Sequence, residues 1–204
     1  ESSNAIMKKF SDLKPEDSRS IEFLKDPDYI PALRCQEALF TFEDSRMNHS
    51  QFSDFGGILT TDNILYFASA RDESKKKYGW NDQPFLNVYA GTYVADEEKF
   101  KDIKPVDQLN TKHHDGPVTI SADGEIMFFA SESFRGGKFE KDKKNRLKKS
   151  KISVYRAKRD KDKWKDIEPV PFNSTEYMVS NPAITPDGKV LYFASDMPGT
   201  IGDM

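Results

Sequence analysis

One cysteine, Cys35, stands among 204 residues, so no disulfide can form within the chain. It follows Ala32-Leu33-Arg34, which is not the apolar stretch of a lipoprotein signal, and its thiol is expected to be buried and inert. Long apolar runs are missing as well. None approaches the roughly 20 residues of a membrane span, and no signal-peptide pattern opens the sequence. The first residue is Glu1 rather than Met, so the chain is read as a mature or excised piece. An excess of one charge is also lacking. Lys and Arg number 31 and Asp and Glu 34, for a net charge of −3, which by itself neither favours nor excludes a nucleic-acid partner. No Gly-x-Ser-x-Gly elbow appears, and no Cys–His pairing has support. No catalytic residue, cofactor site or metal site is therefore nominated.

Hydrophobic residues make up 36% of the chain and aromatics 12%, too many for a disordered segment. They fall in a pattern that recurs. Ile184-Thr185-Pro186-Asp187-Gly188-Lys189-Val190-Leu191-Tyr192-Phe193-Ala194-Ser195 reads as strand, two-residue turn, strand. In it Asp187-Gly188 is expected to supply the positive φ angles, and Val190 to Ala194 to form a buried strand. Ile120 to Ser131 is the same unit, and Leu59 to Ser69 is a version one residue shorter at the turn. The closing serines, Ser69, Ser131 and Ser195, lie 62 and 64 residues apart. Phe67, Phe129 and Phe193 are equivalent positions, expected to be buried between units.

A third strand follows each of the first two hairpins, at Leu86–Ala90 and Ile152–Arg156. A fourth follows at Lys99–Val106 and Lys163–Val170, where Phe100 and Trp164 are again 64 residues apart. Four strands repeated at a fixed period point to propeller blades. The fold class expected is mainly β: a β-propeller with four-stranded antiparallel blades, present as a partial ring, behind a short helical segment at residues 1–37. Blades are expected at 55–109 and 116–173, with a further one starting at 181–204. Residues 39–44 are expected to be a ring-closing strand. The surplus over a common blade sits between strands two and three, at Arg71–Phe85 and Glu132–Lys151. Linkers at 48–57, 110–117 and 173–182 each begin with Asn and lead into a first strand.

Near the N-terminus, Ala5, Ile6, Met7, Phe10 and Leu13 take helical spacing, and Lys14-Pro15 stops that helix. A second helix is expected to open at Pro15-Glu16-Asp17, with Ile21 and Leu24 on its apolar side. Pro27–Cys35 reads as a connector.

Three features are weighed as chemistry. Asp62, Asp123 and Asp187 occupy equivalent turns, where Asp hydrogen-bonds its own backbone, and are read as structural. His113-His114-Asp115 is read as a linker or groove lining, since neighbours on a strand point to opposite faces. The stretch Lys138, Lys141, Lys143, Lys144, Arg146, Lys148, Lys149 and Lys151 carries eight positive charges. Glu140 and Asp142 leave about +6. It reads either as a solvated, mobile loop or as a contact for an acidic partner or anionic lipid surface. It carries a single aromatic, Phe139, rather than an interleaved set, which argues against single-stranded nucleic acid.

The repeat Pro186-Asp187-Gly188-Lys189-Val190-Leu191-Tyr192-Phe193-Ala194-Ser195-Asp196-Met197-Pro198-Gly199 resembles the PD-type propeller repeats of OmpA-family cell-envelope proteins in Bacteroidota. The Leu13-Lys14-Pro15 helix ending resembles the tetratricopeptide helices of one subgroup, some of whose members are linked to type IX secretion and gliding; the stretch alone reads equally as a simple helical cap. The resemblance covers residues 38–204 well and 4–25 weakly. It implies a non-enzymatic protein-binding scaffold, periplasmic and associated with the outer membrane, with envelope proteins as partners. Peptidoglycan would be reached only through an OmpA-like domain that these residues do not include. TolB-like translocation factors and the propellers of larger hydrolases share the repeat and are the alternatives.

Overall fold

The computed structural model describes residues 2–41, 51–74, 76–79, 81–144 and 147–200. The chain divides into two compact units, residues 1–43 and 44–204.

The first unit is helical. Helix α1 spans Ser3–Leu13, capped where the Ser2 hydroxyl accepts from the Ala5 amide. It ends at Lys14 as expected. Helix α2 spans Ser18–Lys25, later than expected: Asp17 is its N-cap rather than part of its first turn, and accepts the Arg19 amide at 2.9 Å. The Arg19 side chain also donates to Asp17, which lowers that carboxyl to about 2. The segment read as a connector contains a further short helix, α3, at Tyr29–Arg34. Pro31 sits in its first turn, where a missing amide costs nothing. Cys35 ends α3 and is exposed, which corrects the expectation of a buried thiol. Ile6, Leu13, Leu24 and Leu33 are all more than half exposed. Leu39 to Thr41 take no strand pairing, and the rest of the expected ring-closing strand lies outside the described residues.

The second unit is mainly β, built from antiparallel four-stranded sheets. Sheet one contains β1 (Asp54–Leu59) and β2 (Ile64–Ser69). A two-stranded ribbon, β3 (Lys77–Tyr78) and β4 (Gln83–Pro84), is inserted after β2. The sheet resumes with β5 (Asn87–Val94) and β6 (Lys99–Pro105), giving the order β1-β2-β5-β6. Sheet two repeats this plan with β7 (Asp115–Ile120) and β8 (Ile126–Glu132). Its inserted ribbon is β9 (Glu140–Asp142) and β10 (Leu147–Lys149), followed by β11 (Ile152–Asp160) and β12 (Lys163–Pro169). A third hairpin, β13 (Val179–Ile184) and β14 (Leu191–Ser195), repeats the first two strands. The described residues form no closed ring. First strands begin one or two residues before the expected boundaries, and the prolines of two linkers fall inside β7 and β13.

They fall there because each first strand is bulged at the same place. The pairing register skips between Phe55 and Ile58, between Asp115 and Val118, and between Ser180 and Ala183. Gly56, Gly116 and Asn181 adopt positive φ at these bulges. A Cβ on Gly116 would lie 2.9 Å from the Cβ of Ala68, and one on Gly56 would lie 2.8 Å from the Cβ of Pro117. The bulge is thus also where one sheet's first strand presses on its neighbour.

The two sheets are joined by one core. Tyr66, Val88, Val106 and Leu109 of sheet one and its exit loop meet Val118, Met127, Phe129, Tyr155 and Trp164 of sheet two. The Tyr66 and Trp164 rings meet edge-on at 6.0 Å. Val154, Val170 and Phe128 on the opposite face of sheet two meet Val179 and Phe193 of the third hairpin. Phe129 of sheet two therefore points back at sheet one, and Phe193 points back at sheet two. Phe67 takes the same position in sheet one, packed with Leu65 and Tyr89 on the face turned away from sheet two. The sheets stack head to tail.

Phe129 is buried between two units as expected; Phe67 is buried as well, but against Leu65, Tyr89, Phe100 and Ile103 of its own sheet, while Phe193 is only partly buried and Tyr192 is 65% exposed. The strand β14 is not the buried strand expected: among the described residues it pairs on one side only, with β13, whereas β2 and β8 are each covered by a third strand as well.

Candidate functional site: a cleft between the inserted ribbons

The turns that end each hairpin are structural, as read. Each is longer than the two-residue turn expected. The Thr60, Ser121 and Thr185 carbonyls accept from the amides of Asn63, Gly124 and Gly188, three residues on. Only those last residues take positive φ, and the aspartates do not. The hydroxyls of Thr60, Ser121 and Thr185 donate to Asp62, Asp123 and Asp187 at 2.5 Å. Asp123 and Asp187 also accept the backbone amides of Glu125 and Lys189. Those bonds favour the charged form and hold both carboxyls below their ordinary range. Asp62 is lowered first by the Thr60 hydroxyl and then by Arg159, whose guanidinium reaches it at 2.6 Å from sheet two.

At the opposite end of the sheets, buried ion pairs hold the roots of the inserted ribbons. Arg135 donates through Nε to the Ser131 hydroxyl and through Nη2 to Asp115 and to the Leu109 carbonyl. Its guanidinium also lies 5.1 Å from the centre of the Phe129 ring. Arg71 repeats the arrangement with Ser69, Asp54 and Phe67. The closing serines, read from sequence as structural, are the hinge of both knots. The third repeat has Val179 opposite Ser195 where the others have Asp, and Ser195 donates instead to the Met178 carbonyl. No spacing in the sequence pairs these residues, because each Arg sits at a different distance from its Ser.

The linker asparagines do specific work that the sequence only hinted at. Asn110 accepts the Val88 amide at 2.7 Å and donates to the Val88 carbonyl at 2.9 Å. Asn173 does the same to Val154. One side chain thus completes the third strand where the fourth leaves it. Asn48 lies outside the described residues.

Above the roots opens a cleft of about 1270 Å³. Its floor includes the bulge residues Phe55, Gly116, Pro117, Ser180 and Asn181. One wall comes from the first insertion, through Tyr78, Asn81, Gln83 and Phe85. The other comes from the second, through Phe134, Phe139, Lys148 and Lys149. His113 and His114 bridge them. Both histidines precede β7 rather than lying on it, and both rings touch Phe85, at 6.0 and 4.6 Å. His113 stacks on Phe134 at 4.4 Å, and Phe134 meets Phe139 at 5.7 Å. The Lys148 ammonium lies 4.6 Å from the centre of the Phe139 ring. A continuous strip of rings therefore crosses the cleft and ends on cations. His114 Nδ1 accepts the Leu86 amide at 3.1 Å, which places the proton of the neutral ring on Nε2. The His113-His114 pair is groove lining, one of the two roles read from sequence, while Asp115 turns away into the Arg135 knot.

The basic stretch is not a featureless loop. Lys141 and Lys148 are cross-strand partners in the β9–β10 ribbon, and Lys149 pairs with Asp142 at 3.3 Å. Lys138, Lys141, Lys143, Lys144, Lys148 and Lys149 are exposed, and Lys151 is partly so. Among the described residues of this set, Lys148 and Lys149 line the cleft. Arg146 lies outside the described residues. Sequence reasoning named the cations and missed the aromatics, because the rings come from both insertions and the linker.

Among the described residues no group of His, Cys, Asp and Glu could hold a metal ion. No described helix is long and apolar enough to cross a membrane. No family model, curated protein or solved structure matches this chain.

Proposed function

We propose that residues 44–204 belong to a β-propeller of a periplasmic, outer-membrane-associated protein of the OmpA-family type, and that this region binds another envelope protein. The head-to-tail stacking of two four-stranded sheets and a third hairpin supports the propeller reading, since blades pack in that order around an axis. The cleft supports the binding reading and is the observation that carries it. Insertions at the same point of both sheets supply its walls, and recognition by loops on a rigid scaffold is the common use of such an arrangement. The side chains presented there are aromatic rings, amides, imidazoles and lysines, which suit contact with a protein surface. Support for type IX secretion or gliding machinery is the narrower role proposed by resemblance.

The test is site-specific photo-crosslinking in cells. A photoreactive residue at Phe85, inside the cleft, is expected to give a discrete protein adduct. The same residue at Asp123, at the turn end of the stack, is expected to give none. Adducts at both positions, or at neither, contradict the assignment of binding to the cleft.

A further inference from the structure

We infer that the cleft takes an extended, acidic polypeptide segment anchored by an aromatic or large apolar side chain. This rests on the proposed binding role and names the chemistry of the partner.

Size is the first argument. Sites for single small molecules span roughly 300–1,000 Å³, and this cleft is larger, at about 1270 Å³. Open strand edges are the second. Among the described residues the first strands β1, β7 and β13 each pair on one side only within their sheets, and their bulge residues form part of the floor. An extended chain binds such edges through backbone hydrogen bonds, with alternate side chains entering pockets.

Charge is the third. Lys112, Lys148 and Lys149 line the cleft, the last also paired with Asp142, in a protein whose formal charge is −3. The carboxylate lining it, Glu132, is buried, where it accepts from the Ser150 hydroxyl at 2.6 Å and from the His114 amide at 3.4 Å. The local surface is thus cationic against an acidic background, which selects a negatively charged partner.

The rings decide between a peptide and other anions. Bases and sugars stack on open aromatic faces. Here the strip packs against itself. His113 lies flat on Phe134, and His114 stands edge-on to both Phe85 and Tyr78. Rings engaged with one another in this way offer less open face to a stacked base, and the cleft they line suits an inserted side chain better.

Fluorescence anisotropy on the full chain tests the inference with four labelled probes. The first is an acidic peptide with one central Trp. The second replaces its acidic residues by Lys, the third replaces its Trp by Gly, and the fourth is a single-stranded oligonucleotide of equal charge. The first probe is expected to bind most tightly and to weaken as salt rises. Lys148→Glu with Lys149→Glu should weaken it at least about tenfold. Phe134→Leu keeps most of the side-chain volume but removes the ring, and should weaken the Trp peptide while leaving the Gly peptide unchanged. Tighter binding of the oligonucleotide, or binding of the acidic peptide untouched by both variants, overturns the inference. If no peptide binds while the Phe85 photo-adduct persists, the inference fails and the binding role stands. If the adduct is also missing, the role itself fails.

Discussion

At the scale of single residues, the two knots of Asp, Ser and Arg hold the cleft in place. Asp115 is fully buried and its partner Arg135 is partly buried. Removing one member of a buried pair leaves an uncompensated charge, which costs about 3–5 kcal/mol. Asp115→Ala is therefore expected to destabilise the chain by that amount in denaturant unfolding. Asp54→Ala should cost less, because its partner Arg71 and the Asp itself are slightly more accessible. Equal losses would mean that burial is not what sets the cost. The turn aspartates make a second prediction. Asp123 and Asp187 have lowered pKa values in the fold, caused first by the Ser121 and Thr185 hydroxyls. A carboxyl lowered on folding stabilises at pH above its ordinary value of 3.8, and that contribution is lost as pH falls through the lower folded value. NMR titration should place both midpoints below 3.8, and Ser121→Ala should return Asp123 toward it. A midpoint for Asp123 that does not respond to Ser121→Ala would remove the hydroxyl as the cause.

At the scale of elements, the bulge in each first strand sets how closely the sheets approach. Gly116 has a φ of 96°, and a Cβ there would meet the Cβ of Ala68 at 2.9 Å. Backbone strain and overpacking together should make Gly116→Ala cost about 2–4 kcal/mol in denaturant unfolding. A change below 1 kcal/mol would show that the sheets can part without penalty. Phe129→Ala, in the core between the sheets, should cost about 3–5 kcal/mol. Phe193→Ala should cost roughly half of that, since its ring is only partly buried. The repeat made these positions legible, because a buried strand in every unit needs the same large apolar residue. It also made all four strands of each sheet legible, through Phe100 with Trp164 and the paired serines. The bulges were not, because a Pro inside a strand reads as the end of a linker until its partner strand is known. The α3 helix was hidden for a similar reason: Pro27 and Pro31 read as a connector, although the second is compatible with a first helical turn.

At the scale of the whole molecule, the proposed binding role rests on the place where the insertions meet. The basic stretch was legible as charge and as a possible acidic contact. The cleft was not, because Tyr78, Phe85, His113, Phe134 and Phe139 come from three segments that only the stacking of sheets brings together. Reversing Lys143, Lys144, Lys148 and Lys149 to Glu should leave stability nearly unchanged, within about 0.5 kcal/mol for each exposed position. Binding at low salt should fall, and the difference from the native protein should shrink as salt screens the exposed charges. The most direct measurement is oxidative footprinting of aromatic side chains, compared between the purified protein and the protein in the cells that produce it. The account predicts protection of Tyr78, Phe85, Phe134 and Phe139 in cells, with Tyr192 equally modified in both. Cleft rings modified alike in both settings would contradict it, whatever happens elsewhere on the surface.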